Sequence, residues 1–287
     1  MSIADVPLWT SVHPPRQGLG LMRLREHGDA DPDRNPVAVV HTAIDAGVML
    51  LDTAEMYGNE ELVGRTIAGH RDEVTLCSKF GVVWGDSGRA DDWAVRADAA
   101  TVVSSCEASL WRLGVDVIDL YDLHHRSENT PIEETVTAMA GLVAAGKVRA
   151  VGLSNVTVDD IQRAHAVHPV LAVQEQWSLT SREVEAMLPV LAELGITLVA
   201  HSPTGHGELH KRSSSLLGTA LAEIATVHAV TPGQVALAWV HQQNRPGQPV
   251  VPLPGTTRVS HLDLNVAAAT LELDNTEIDR LATASST

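Results

Sequence analysis

A chain of 287 residues, 44% of them hydrophobic, has material for one large core, and a single α/β domain of barrel size accommodates it better than two domains. The formal net charge of −16 excludes nucleic acid and anionic membrane surfaces as bulk partners, leaving room only for a local basic cradle. Two cysteines, Cys77 and Cys106, lack the paired spacing of a metal site or a redox dithiol and read as buried reduced thiols; no metal is expected.

The N-terminus has no basic head followed by an apolar stretch, and no run approaches the ~18 apolar residues that span a bilayer, so a cytoplasmic location is expected. Strand candidates lie near 17–22, 48–54, 73–80, 116–124, 148–155, 171–176, 196–203 and 249–255. Helical apolar spacing fills the intervals at Pro36–Ala46, Glu60–Ala68, Arg96–Leu113, Ile132–Ala145, Val158–Ala166, Arg182–Leu194 and Ser215–Gln243, the last broken at Thr231-Pro232. Arg258–Ala269 supplies the eighth helix and Asn275–Ala284 an extra terminal one. No linker interrupts the alternation. The chain reads as eight βα units, a (β/α)8 TIM barrel in one domain over residues 1–287.

Several of these strands end on polar residues. Asp52 and Tyr57 lie in Asp-Thr-Ala-Glu-Met-Tyr-Gly-Asn (52–59), Lys79 in Cys-Ser-Lys-Phe (77–80), and His124 in Asp-Leu-Tyr-Asp-Leu-His-His (119–125). The C-terminal ends of successive parallel strands are where a β/α barrel places catalytic groups. A phenol has a reference pKa of about 10, so Tyr57 needs a neighbour that stabilises its phenolate. Lys79 supplies an ammonium for this, Asp52 keeps that lysine charged and fixed, and His124 orients or polarises the acceptor oxygen. Nothing resembles an activated nucleophile, so the set points to general-acid protonation of a carbonyl oxygen while a hydride arrives from elsewhere.

Strand parity admits only one of His124 and His125 to the barrel mouth, and His124 shares its parity with Asp122. The same parity turns Asp122 inward one layer below. There it either accepts a hydrogen bond from Lys79 or His124, or strand twist carries it to solvent.

On these motifs the sequence resembles the aldo-keto reductase superfamily of NAD(P)H-dependent barrel enzymes, over nearly its whole length. Further matching stretches are Gly-Leu-Gly-Leu-Met (18–22), Pro-Ile-Glu-Glu-Thr (131–135), Gly-Lys-Val-Arg-Ala-Val-Gly-Leu-Ser-Asn (146–155), Val-Gln-Glu-Gln-Trp-Ser-Leu (173–179) and Pro-Leu-Pro-Gly-Thr-Thr-Arg (252–258). The resemblance implies reduction of a small aldehyde or ketone to an alcohol, with Tyr57, Lys79, Asp52 and His124 as catalytic residues. It also implies that Ser154, Asn155 and Gln174 hold the nicotinamide carboxamide, and that Gly20, Met22 and Asp52 line the cofactor site. Gly255-Thr256-Thr257-Arg258 runs into a helix and suits a phosphate, with Arg258 as a charged contact. Ser202 and the loop with Gly205 and Gly207 resemble the segment that folds over the pyrophosphate.

Three positions at the cofactor site depart from the family pattern, besides His125 where the family usually has arginine. His201 replaces a stacking aromatic under the nicotinamide, His261 a second basic residue, and Leu264 a glutamate facing the adenine; Asn265, the other adenine contact, is retained. NADP(H) remains favoured over NAD(H). The resemblance places a substrate pocket above the nicotinamide, with Met56, Trp84, Trp93, His124 and Trp177 as candidate lining, whereas Trp111 and Trp239 are expected in the core and Trp9 is unassigned. Two other classes stay open: a dehydratase or epimerase using Tyr57 and His124 for proton transfer, and a slow-turnover cofactor-binding sensor.

Overall fold

The computed structural model describes residues 9, 15–26, 31–87, 89, 92–211 and 213–285. Eight parallel strands form one sheet. They are β1 (Gly18–Gly20), β2 (Leu50–Asp52), β3 (Thr75–Phe80), β6 (Ile118–Leu123), β7 (Val148–Ser154), β8 (Val170–Gln176), β9 (Thr197–His201) and β10 (Val250–Leu253), hydrogen-bonded in that order. A bridge between Gly20 and Gly255, with the Gly20 N–H on Pro254 O at 3.0 Å, brings the two edges together. The result is the nearly closed (β/α)8 barrel anticipated from the alternation.

Helices α1 (Pro36–Asp45), α2 (Glu60–Ile67), α3 (Ala99–Leu113), α4 (Ile132–Ala144), α5 (Val158–Val167), α6 (Leu188–Leu194), α7 (Leu216–His228), α8 (Pro232–His241), α9 (Val259–Ala268) and α10 (Asn275–Ser285) follow the expected order. The break between α7 and α8 falls at Thr231-Pro232, where Thr231 and Gln234 form a capping box and Pro232 occupies the first turn. The helix expected over 182–194 divides into a 3-10 turn, Glu183–Met187, followed by α6. Pro189 near its start has no N–H to extend a continuous ladder backward. Among the described residues no helix is long and apolar enough to cross a membrane.

One pair of strands lies outside the expected set. Strands β4 (Val82–Trp84) and β5 (Trp93–Val95) form an antiparallel hairpin between β3 and α3, pairing Trp84 with Trp93. Three-residue strands are too short to establish a period of two.

Trp9 is buried and belongs to the cluster of Leu50, Cys77, Leu120, Ala172, Val199, Val251 and Leu253 inside the barrel. Its indole N–H donates to Thr197 Oγ1 at 3.0 Å. Trp239 is buried as expected, but Trp111 is not: it is 77% exposed. The buried stripe of α3 runs through Val102, Ser105, Cys106, Ser109 and Leu113, and a residue two positions past Ser109 falls on the opposite face.

Helices α2 and α3 approach closely at Gly64, where an added Cβ would lie 2.1 Å from the Leu113 carbonyl oxygen. Backbone cannot yield there as a flexible side chain can. Gly64→Ala is therefore expected to destabilise the protein by about 1–3 kcal/mol in denaturant unfolding. Gly141→Ala, in α4 with nothing within 4 Å of the new methyl, is expected to stabilise by about 0.4–1 kcal/mol.

Candidate active site

β2 ends on Asp52, and the 3-10 turn Glu55–Tyr57 that follows sets Tyr57 beside the barrel mouth before Gly58 reverses the chain at φ +65. Asn59 holds this turn: it accepts the Thr53 hydroxyl at 2.7 Å and donates to Leu21 O and Leu24 O at 2.7 and 3.2 Å. The next residue, Glu60, is buried and takes hydrogen bonds from Ser78 Oγ and Arg112 at 2.6 Å each, tying the start of α2 to β3 and α3.

Lys79 points into the barrel from β3 and is fully buried. Its Nζ donates to Asp52 Oδ1 at 2.5 Å and to Thr53 O at 3.0 Å, while Gln174 Nε2 donates to the other Asp52 oxygen at 2.9 Å. Burial works against the ammonium, but the facing Asp52 carboxylate, with Tyr57 and Asp122, holds its pKa above the ordinary lysine value. The lysine is a cation at neutral pH. Its Nζ lies 5.1 Å from the centre of the Tyr57 ring, and the Tyr57 and His124 rings meet edge to face at 5.6 Å and 85°.

Tyr57 corrects one expectation. Burial pushes its pKa above the ordinary tyrosine value, and Lys79 pulls it back without reversing the direction. The phenol therefore stays protonated at neutral pH and retains the proton a general acid must give. His124 is driven down to about 2 by burial, with Lys79, His125 and His201 adding to the effect. It is a neutral imidazole, and its buried Nδ1 has no hydrogen-bond partner among the described residues. His125 points elsewhere, as strand parity required, and packs on Trp93 at 5.1 Å.

Asp122 lies inside the barrel beside Lys79, but neither proposed outcome for it holds. It is 1% exposed, so twist does not bring it to solvent, and neither carboxylate oxygen has a hydrogen-bond partner among the described residues, so it takes none from Lys79 or His124. Room for it comes from Gly152, its register partner on β7; a Cβ there would fall 1.8 Å from Asp122 Oδ1.

Ser154 is buried at the end of β7, and Asn155 turns the chain in the left-handed region at φ +52. Asn155 Nδ2 donates to His124 O at 2.9 Å and Ser154 Oγ at 3.1 Å, coupling this turn to the histidine. Glu175, unassigned from sequence, accepts the Val156 N–H at 2.9 Å, and burial pushes its carboxyl up to about 7. Its only signal was adjacency to Gln174. His201 is driven down to about 4 by burial and then Lys79, so it too is neutral. It shares the Ser202 hydroxyl with His206, both at 3.2 Å. Ser202, Gly205, His206 and Gly207 all have positive φ, which coils this loop tightly.

Gly20 and Gly255 meet at the barrel seam, and Met22 is exposed just beyond β1. Thr256 Oγ1 accepts the Arg258 N–H at 3.1 Å. Thr257 is half-buried, His261 is exposed, and Asn265 is buried on α9. Met56 is half-buried and its carbonyl accepts the Trp84 indole N–H at 3.1 Å. Trp84 and Trp93 stand exposed on the hairpin. Trp177 is not a pocket wall: it is 2% exposed, packs edge-on against Trp239 at 5.9 Å, and donates its N–H to Glu185. A large ring at a strand end is drawn under the adjoining helices when a second indole completes its packing.

Among the described residues no group of three or more His, Cys, Asp or Glu is arranged to hold a metal ion. The chain is similar to a thermostable aldo-keto reductase, Tm1743, solved with the inhibitor epalrestat, at 31% identity, covering 94% of this chain and 95% of that one with a TM-score of 0.80. It is also similar to an aldo-keto reductase from Klebsiella pneumoniae solved with NADPH, at 32% identity, 94% and 90% coverage, and a TM-score of 0.79. The glycerol dehydrogenase AKR11B4 from Gluconobacter oxydans shares the fold, with a TM-score of 0.83 at 24% identity over 94% and 90% of the two chains. The sequence profile of the Aldo/keto reductase family matches residues 17–286, and the chain belongs to that family.

Proposed function

We propose that the protein is an NAD(P)H-dependent oxidoreductase that reduces an aldehyde or ketone to an alcohol, with Tyr57 as general acid. The observation that carries this reading is the buried Lys79 cation, fixed by Asp52 and Gln174 and held 5.1 Å from the Tyr57 ring. A bound reduced nicotinamide supplies the hydride. Tyr57 donates its proton to the carbonyl oxygen, and the nearby ammonium stabilises the phenolate left behind. His124, neutral and packed edge-on against Tyr57, orients the same oxygen without adding a charge. The polar atoms at the mouth fit a carboxamide: Gln174 commits its N–H to Asp52, leaving its carbonyl oxygen free to accept, and Ser154 and Asn155 lie on the adjoining strand end. Met56, Trp84 and Trp93 offer apolar surface for a substrate of modest polarity.

The test is loss of absorbance at the reduced nicotinamide band across a panel of aldehydes and ketones. Wild type is expected to consume the cofactor, and Tyr57→Phe to lower kcat by about 10²–10⁴-fold. Product without net cofactor oxidation would instead identify a dehydratase or epimerase, and tight cofactor binding with no turnover a sensor.

A further inference from the structure

Asp33 lies in the one-turn helix Pro32–Arg34 between β1 and α1, yet its carboxylate reaches the N-terminus of α9. Oδ1 accepts the Ser260 N–H at 2.8 Å, and Oδ2 accepts the Ser260 hydroxyl at 3.0 Å and Arg258 Nη1 at 2.8 Å. Asp31 adds a second carboxylate 3.6 Å from the same Nη1. The Ser260 N–H and the Arg258 guanidinium pull the Asp33 carboxyl down to about 2, so it is ionised throughout the working pH range.

A first-turn N–H, a hydroxyl and a guanidinium form a donor set for a phosphate monoester. Here a carboxylate of the same chain holds all three. Two arginines face two carboxylates here, Arg258 on Asp33 and Asp31 and Arg34 on Asp31 at 3.8 Å, so the cluster carries no net positive charge, and the neighbouring family position Leu264 is apolar. A phosphate at this place must displace Asp33 and then lie beside two carboxylates. A hydroxyl there instead offers Asp33 a proton to accept, which is how a carboxylate recognises an unphosphorylated ribose.

We propose that Asp33 is a specificity-determining residue that selects the dinucleotide with a free ribose 2′-hydroxyl, NADH, over its 2′-phosphorylated counterpart. This rests on the reading that the barrel binds a nicotinamide dinucleotide with its adenosine end at Arg258. It reverses the expectation of NADP(H) over NAD(H), which counted Arg258 as free for the phosphate.

Equilibrium titration of NADH and NADPH, followed by quenching of tryptophan fluorescence, tests the assignment on wild type, Asp33→Asn and Asp33→Ala, with thermal melts alongside. The Asn variant keeps the shape and an acceptor for the Ser260 N–H while removing the charge. Wild type is expected to bind NADH more tightly, and both variants to move the ratio of dissociation constants toward NADPH by roughly ten- to a hundredfold. 2′,5′-ADP as a fragment should gain affinity in the same variants. Tighter binding of NADPH to wild type, with a ratio unchanged in Asp33→Asn, would reduce Asp33 to a clasp between the loop and α9 and overturn the proposal. Failure of every one of these proteins to bind either dinucleotide would instead strike the reading of the barrel itself.

Discussion

Lys79→Met is expected to cost about 3–5 kcal/mol of stability and to lower kcat/KM by about 10²–10⁴-fold. Methionine fills the lysine's volume but donates no hydrogen bond and carries no charge. Asp52, only 3% exposed, would keep Gln174 as its one side-chain donor, and Thr53 O would lose its bond from Nζ. A buried carboxylate stripped of its counter-ion carries most of the desolvation penalty alone. Urea unfolding of wild type, Lys79→Met and Tyr57→Phe separates the two effects, because Tyr57→Phe should lower kcat by about 10²–10⁴-fold while keeping most of the stability. The double variant Lys79→Met/Asp52→Leu should recover stability without recovering turnover, since removing both charges also removes the penalty. A single Lys79→Met variant as stable as wild type would show that the pair is not desolvated.

The barrel was legible in the chain because buried parallel strands and their covering helices alternate with clear punctuation, and the mouth was legible because polar residues end those strands. Asp52, Lys79 and Gln174 come together as strand order and parity imply. What escaped is what depends on distance in sequence or on burial depth. The Asp33–Arg258 contact joins residues 225 apart with no local pattern to announce it. Trp177 stands at a strand end like a pocket wall, yet whether it faces a cavity or Trp239 depends on how the following helices pack. The direction of the Tyr57 shift escapes the sequence for a related reason: proximity of a cation can be inferred from motif spacing, but the opposing desolvation is a property of the closed mouth. Asp122 combines both cases. Parity placed it inward correctly, while the lack of a partner and the room left by Gly152 emerge only in three dimensions.

Asp122→Asn is expected to stabilise the protein most at alkaline pH, by an amount that shrinks as pH falls and vanishes only below the ordinary carboxyl value of 3.8. Burial raises the Asp122 carboxyl from 3.8 to about 8, with Lys79 opposing the shift and Asp52 reinforcing it. Between these values the folded chain binds a proton that the unfolded chain has released, so unfolding becomes easier as pH rises through the window and levels off above about 8. The change across that window is on the order of 5 kcal/mol. Asparagine cannot ionise and leaves this contribution out. Other groups also titrate: His124, driven down to about 2, and His201 and His241, each driven down to about 4, are neutral in the fold where the unfolded chain protonates them. Their contribution therefore has the opposite sign, being lost as pH falls below 6.5, and Glu175 adds a smaller one of Asp122's sign. All of these are common to both proteins and cancel in the difference. Urea unfolding of wild type and Asp122→Asn at pH 5, 7 and 9 should give curves that diverge steadily, and parallel curves would mean that Asp122 is already ionised in the native barrel and paired with Lys79.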